Sequence, residues 1–305
     1  MIFDYQFRNY NFRALIYMIL LSVLGILVVG SASNQDRSSV IKQIIGVVVS
    51  LIICLVLSLI DYHQYFRFTT LIYVVCAGML AAVLLFGRTT KGATRWLRIG
   101  GIQIQPSEFV KIGLILILAN FLSRNREKIN EPKTLGMTAL ICALPVGMVY
   151  LQPNLSTTIV ICFMILCMVY VAGISYKWIA GAVAVGVPGF AALIYLSLQG
   201  FIPFLQKYQA QRIMGKIFHS SSEFTDLNRQ QDNSMMAIGS GQLRGKGLFN
   251  NTLSSVKNGN FLSEEQTDFI FAVIGEELGF VGGVAVIALY ALLVYCLLYT
   301  SPSPR

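Results

Sequence analysis

The chain has 305 residues, 55% of them hydrophobic and only 12% charged, with a formal net charge of +9 and a mean hydropathy of +0.67. That balance excludes a water-soluble domain, of which about a quarter would be charged. The charge is not gathered on a soluble domain, which excludes a nucleic-acid-binding protein; the six cysteines fall in apolar stretches without C-x-x-C or Cys/His spacing, which argues against a disulfide framework or a cysteine metal site.

Apolar stretches near the roughly 20 residues that cross a hydrocarbon core are predicted at 14–31, 40–60, 69–87, 107–123, 135–151, 156–173, 177–198 and 269–298. The expected fold is an all-α polytopic membrane protein with eight transmembrane helices here and one large extracellular loop. It is read as a single membrane domain over 1–305: seven helices within 14–198, an extracytoplasmic loop at 199–268, an eighth helix at 269–298 and a tail at 299–305. Arg8 and Arg13 precede the first span, but no A-x-A-like cleavage site follows, so this is an uncleaved first helix. The last residues, ending in Ser-Pro-Ser-Pro-Arg305, resemble translated adapter read-through, and the natural protein is expected to continue with further helices.

Lys and Arg in the short loops set orientation. A cytoplasmic N-terminus places eight of them inside, including Arg67, Arg124, Arg126, Lys128 and Lys133, against six outside. The expected location is the bacterial cytoplasmic (inner) membrane. Four of the outer six crowd between Arg88 and Arg98, and the 199–268 loop adds seven more, among them Arg212, Arg244 and Lys246. Such a basic outer face suits lipid headgroups or a lipid-linked pyrophosphate, although long loops also translocate regardless of charge. Within the loop, Phe201 to Phe218 alternates apolar and basic residues as an interfacial amphipathic helix does, and Ser220 to Ser234 reads as polar and irregular.

Four places carry candidate chemistry. The first is Gly92 to Arg98, with Arg95 and Trp96 at a substrate-facing lip, followed by Gln105, Pro106, Ser107, Glu108 and Lys111. Pro106 marks a helix start, and Glu108 and Lys111 then share a face as an i, i+3 pair. The second is Gln152-Pro153-Asn154, a polar break in which Asn154 suits an N-cap. The third is Gly239 to Gly247, with Ser240, Arg244 and Lys246. It lacks the Walker pattern, so either a phosphate nest or a flexible loop fits. The fourth runs from Glu264 through Thr267 and Asp268 to Glu276 and Glu277. Asp268 suits either a helix cap or a general base, and the two glutamates lie about 12 Å deeper at 1.5 Å per residue.

Together these places resemble the SEDS family (shape, elongation, division and sporulation), its elongation members more than its division members. The resemblance rests on Arg95-Trp96-Leu97, Gln105 to Glu108 with Lys111, Ala237 to Gly241, Gly245 to Gly247, Thr267 to Phe271 and Gly275 to Glu277. Two motifs depart from the family: Asn154 stands where it carries Asp, and Ser263 where it carries Pro. The family's ten helices would place two beyond this sequence.

The resemblance implies a glycosyltransferase that joins lipid II, the undecaprenyl-diphosphate-linked disaccharide pentapeptide, on the outer leaflet. Its implied partners are a class B penicillin-binding protein and other elongation-complex membrane proteins. Asp268 matches the residue taken as the base for the acceptor 4-hydroxyl. The expected substrate-binding residues are Arg95, Trp96, Arg212, Ser240, Lys246, Glu264 and Thr267. Gln105, Pro106, Ser107, Glu108, Lys111, Gln152, Pro153, Glu276 and Glu277 are expected to shape the cavity. A divalent cation, Mg or Mn, is the one cofactor contemplated, without a dedicated ligand cluster. Two other classes fit the same residues: a lipid II flippase, for which Glu276 and Glu277 speak, and a non-enzymatic scaffold of the wall-synthesis complex.

Overall fold

The structure, a computed structural model, describes residues 11–33, 36–90, 93–99, 102–152, 154–198, 225–250, 255 and 265–300. The expected helix over 201–218 and the site candidates Pro153, Arg212 and Glu264 lie outside the described residues. In chain order the elements are α1 (Phe12–Ala32), α2 (Arg37–Ser58), α3 (Tyr62–Arg67), α4 (Thr69–Phe86), β1 (Arg88–Thr90), β2 (Ala93–Ile99) and β3 (Ile102–Ile104). There follow α5 (Pro106–Arg124), α6 (Pro132–Leu151), α7 (Leu155–Val171), α8 (Tyr176–Leu198), α9 (Thr225–Ser240) and α10 (Ile270–Thr300).

Helices occupy all eight predicted apolar stretches, and six of them (α1, α2, α4, α5, α6 and α10) are long and apolar enough to cross a membrane. Their side chains point the same way: α2 buries no residue, and Ile41, Ile45 and Ile52 are each more than half exposed. Apolar surface on this scale is costly in water, about 25 cal/mol per Å², and costs nothing against lipid tails. The helix starts follow from their sequences. Asp36 accepts hydrogen bonds from the Ser38 and Ser39 amides ahead of α2, Asn154 accepts from the Thr157 amide ahead of α7 as its type suggested, and Pro106 opens α5.

The chain packs as two compact units, Met1–Ile60 with Gln211–Arg305, and Asp61–Ala210. The first joins the two ends of the sequence. In it Val28 and Ala32 of α1 are buried against Val273, Ile274 and Val286 of α10. The second centres on Cys76, Leu80, Val110, Leu114, Val149 and Ile161. There α4 and α5 approach closely enough that a Cβ on Gly113 would lie 2.9 Å from the Cys76 sulfur, the small-residue contact expected between membrane helices.

Two expectations are corrected. The segment 220–234 is not irregular throughout: α9 begins at Thr225 and runs to Ser240, its inner face burying Asn233 and Ala237, the latter against Ala272 of α10. The helix packs by one side, although Asn233 lies on that side and Met235 and Met236 are more than half exposed. The last span is also not a single rod, because Gly279 has φ +67 and ψ −165 and divides α10 into two helices.

Candidate active site

The break at Gly279 leaves backbone groups without helical partners. An unbroken helix would bond the Phe280 amide to the Glu276 carbonyl and the Val281 amide to the Glu277 carbonyl. Here the segment Gly241–Gly247 takes all of these groups instead. Lys246 N donates to Glu276 O at 2.9 Å and Gly247 N to Glu277 O at 2.9 Å, while Phe280 N donates to Gln242 O at 2.8 Å and Val281 N to Leu243 O at 3.2 Å. Irregular backbone inside an apolar span requires such satisfaction from protein.

The glycines make the contact possible. A Cβ on Gly241 would meet the backbone of Gly275 and Glu276, one on Gly245 the backbone of Glu277, and one on Gly279 the backbone of Gly245. Gly245 and Gly279 also adopt positive φ. The segment is therefore neither a free loop nor an open phosphate nest, since the amides of Lys246 and Gly247 are engaged by α10.

Side chains reinforce the clip. Lys246 Nζ pairs with Glu276 Oε1 at 2.7 Å, with Glu276 at 1% relative exposure. Ser31 of α1 donates its hydroxyl hydrogen to Glu277 Oε1 at 2.6 Å and accepts from the Phe249 amide at 3.1 Å. Glu277 is likewise buried, as is Ser31. Isolated buried carboxylates would be costly, and each of these has a polar partner. Ser240 caps its own helix, its hydroxyl donating to Ala237 O at 2.7 Å.

Asp268 stands at the other end of the short helix Ile270–Leu278, exposed, in a turn with exposed Gln266 and Thr267. The Ala272 amide bonds Phe269 O and ties that turn to the helix. An exposed carboxylate at the head of a helix anchored at its far end is free to meet a substrate while its backbone is held.

In the second unit, β1, β2 and β3 form an antiparallel meander between α4 and α5 that the sequence reading did not anticipate. Arg95 is half-buried and Trp96 exposed on β2. The signal was the pair Gly100-Gly101 between two short β-prone runs, a hairpin turn sequence. At the start of α5, Glu108 and Lys111 form the expected ion pair at 2.8 Å, the Gln105 amide donates to Ser107 Oγ at 3.0 Å, and Ser107 is buried. Gln152 is fully buried, its amide reaching Leu80 O at 3.5 Å. Thus Asp268, Thr267, Ser240, Lys246, Glu276 and Glu277 belong to the first unit, and Arg95, Trp96, the α5 group and Gln152 to the second. Ser31 was missed: a serine in an apolar helix carries no motif, and only the buried glutamate opposite reveals its use. Among the described residues no three His, Cys, Asp or Glu side chains gather as metal ligands.

These features define a polytopic helical membrane protein whose last described span is broken and clipped by a glycine-rich segment, with a carboxylate at its head. A family model described as Cell cycle protein, covering FtsW, RodA and SpoVE, matches residues 12–303. The chain belongs to this family, the SEDS proteins. It is 35% identical over 282 residues to the peptidoglycan glycosyltransferase MrdB of Escherichia coli K12, spanning 92% of this chain and 72% of that one. It is 32% identical over 286 residues to the probable peptidoglycan glycosyltransferase FtsW of Shewanella sediminis, spanning 90% and 66%. Among solved structures, a chain of a peptidoglycan synthase complex that coordinates polymerization and crosslinking aligns with a TM-score of 0.73 at 26% identity, covering 94% of this chain and 77% of that one. The rod shape determining protein RodA of Thermus thermophilus aligns with a TM-score of 0.63 at 25% identity, covering 94% and 74%.

Proposed function

We propose that this protein is a peptidoglycan glycosyltransferase that polymerises lipid II on the outer face of the bacterial cytoplasmic membrane during wall elongation. In this reading the chain crosses eight times from a cytoplasmic N-terminus, and a class B penicillin-binding protein crosslinks the strands it makes. The observation that carries the proposal is Asp268, an exposed carboxylate at the head of a nine-residue helix whose far end is bonded on two sides. The names of the relatives support the reaction class.

The acceptor 4-hydroxyl attacks the anomeric carbon of the donor sugar, and Asp268 takes the hydroxyl proton as the new C–O bond forms. The bond from that carbon to undecaprenyl pyrophosphate breaks, and the pyrophosphate leaves with the electron pair. Its developing charge falls to Arg95, Arg212 and Lys246, the last acting while still paired with Glu276. Trp96, Ser240, Glu264 and Thr267 contact the sugar and peptide, and Glu108, Lys111, Gln152 and Pro153 shape the cavity. A divalent cation, if present, would be carried on the pyrophosphate, since the buried glutamates are already engaged.

The flippase reading loses its main support in Glu276 and Glu277, whose contacts with Lys246 and Ser31 account for their burial. The test is polymerisation of fluorescent lipid II by the purified protein, with and without its class B partner, beside Asp268→Asn. Glycan ladders that disappear in the variant are expected. Lipid II scrambling without ladders would favour the flippase, and neither activity the scaffold.

A further inference from the structure

We propose that Ser31 is a positioning residue for Asp268, holding the short helix Ile270–Leu278 in one rotational setting through Glu277; this rests on the glycosyltransferase reading above. The apolar packing of Val28 and Ala32 on Val273 and Ile274 already joins α1 to this helix. A further leucine at position 277 would extend that contact without placing a carboxylate at 2% exposure. What a buried Ser–Glu pair adds is direction. An O–H···O contact of 2.6 Å tolerates little change in distance or angle, whereas methyl contacts slide.

The geometry strengthens the point. Successive residues project about 100° apart around a helix of 3.6 residues per turn. Glu276, tied to Lys246 at 2.7 Å, and Glu277, tied to Ser31 at 2.6 Å, therefore restrain the short helix from two directions. Two such restraints fix its rotation about its own axis. The Ser31 oxygen also accepts from the Phe249 amide, so one atom links α1, the stretch just after the glycine segment and α10.

Rotation matters at the other end. Side-chain tips on a helix lie roughly 5–6 Å from its axis, so a turn of about 10° moves them by about 1 Å, and the turn carrying Asp268, tied to the helix by the Ala272 amide on Phe269 O, is carried with them. A misplacement of that size costs on the order of 100-fold in rate. Neither Ser31 nor Glu277 touches the substrate in this scheme; both act through the backbone of the short helix.

The experiment compares wild type, Ser31→Ala, Glu277→Leu, Glu277→Gln and Asp268→Asn in lipid II polymerisation, with kcat, KM and the pH profile of kcat for each. Amide hydrogen exchange of residues 245–249 and 268–278 is read on the same samples. Ser31→Ala and Glu277→Leu are expected to lower kcat about 10- to 100-fold with KM within about twofold, to displace the acidic limb of the kcat profile, and to speed exchange in both segments. Glu277→Gln keeps an acceptor oxygen for Ser31 and recovers most of the rate lost in Glu277→Leu. A merely structural loss would scale the profile through the amount of folded enzyme and leave its limb in place, which would overturn the inference. Wild-type ladders with Ser31→Ala and Glu277→Leu at parity would also overturn it, leaving the function intact. Absence of ladders from wild type would overturn both.

Discussion

Ser31 and Glu277 meet across 2.6 Å although 246 positions separate them in the chain. The contact closes a unit made from the two ends of the sequence, Met1–Ile60 and Gln211–Arg305. The setting of the helix that follows Asp268 therefore depends on a contact across most of the sequence, and closure of so long a loop carries an entropic cost. Apolar packing and the polar clip together offset it.

The glycines of the clip make the first prediction. Gly245→Ala and Gly279→Ala each place a methyl group against backbone at positive φ. The conformational strain alone costs about 1–3 kcal/mol, and the clash adds to it. Gly247→Ala, at φ +92 with nothing near its Cβ, carries the strain without the clash. Unfolding midpoints in detergent should fall most for Gly245 and Gly279 and least for Gly247; equal losses would show that the close approach contributes nothing.

The Lys246–Glu276 pair gives a second. Removing one partner of a buried ion pair costs about 3–5 kcal/mol, whereas replacing both with apolar groups is often neutral. Lys246→Met and Glu276→Leu should each destabilise strongly, and the double variant should recover most of the loss in the same unfolding assay. If the double variant is as unstable as the singles, the pair is not the coupled unit described.

Much of this was legible beforehand. The eight helical stretches, the Pro106 start, the Asn154 cap and the Glu108–Lys111 pair all follow from local patterns. The break at Gly279 was not, because a glycine inside an apolar run reads as tolerated packing unless the segment that satisfies its freed backbone is known. The same holds for Gly241–Gly247, whose glycines equally suit a nest, a free loop or a clip. Only tertiary contact separates these, as it alone turns the polar stretch Thr225–Ser240 into a packed helix.

Asp36 carries a pH prediction. The Ser39 hydroxyl, with the Ser39 and Ser38 amides, holds its carboxyl below the usual carboxylate range. A depressed folded pKa stabilises the folded state above the unfolded value, near 3.8, and that contribution disappears as pH falls through the lower folded value. Asp36→Asn removes the titration but leaves a capping side chain. The gap in unfolding midpoint between wild type and variant should stay constant from pH 7 to about 5 and then close; a gap that widens in acid would contradict this sign.

Glu108 and Lys111 separate stability from function most directly. Their side chains are 54% and 27% exposed, and the pair spans one turn at 2.8 Å. A pair so open to its surroundings contributes only about 0.3–0.5 kcal/mol, far less than the clip around Gly279. If its role lies in the cavity, Lys111→Met should shift the unfolding midpoint little yet lower the polymerisation rate by about tenfold or more, since a tenfold loss needs only about 1.4 kcal/mol of transition-state stabilisation. Glu108→Gln should follow the same pattern. Rate and midpoint falling together would mean that the pair serves only to orient α5, and the cavity assignment would move to Gln152 and Arg95.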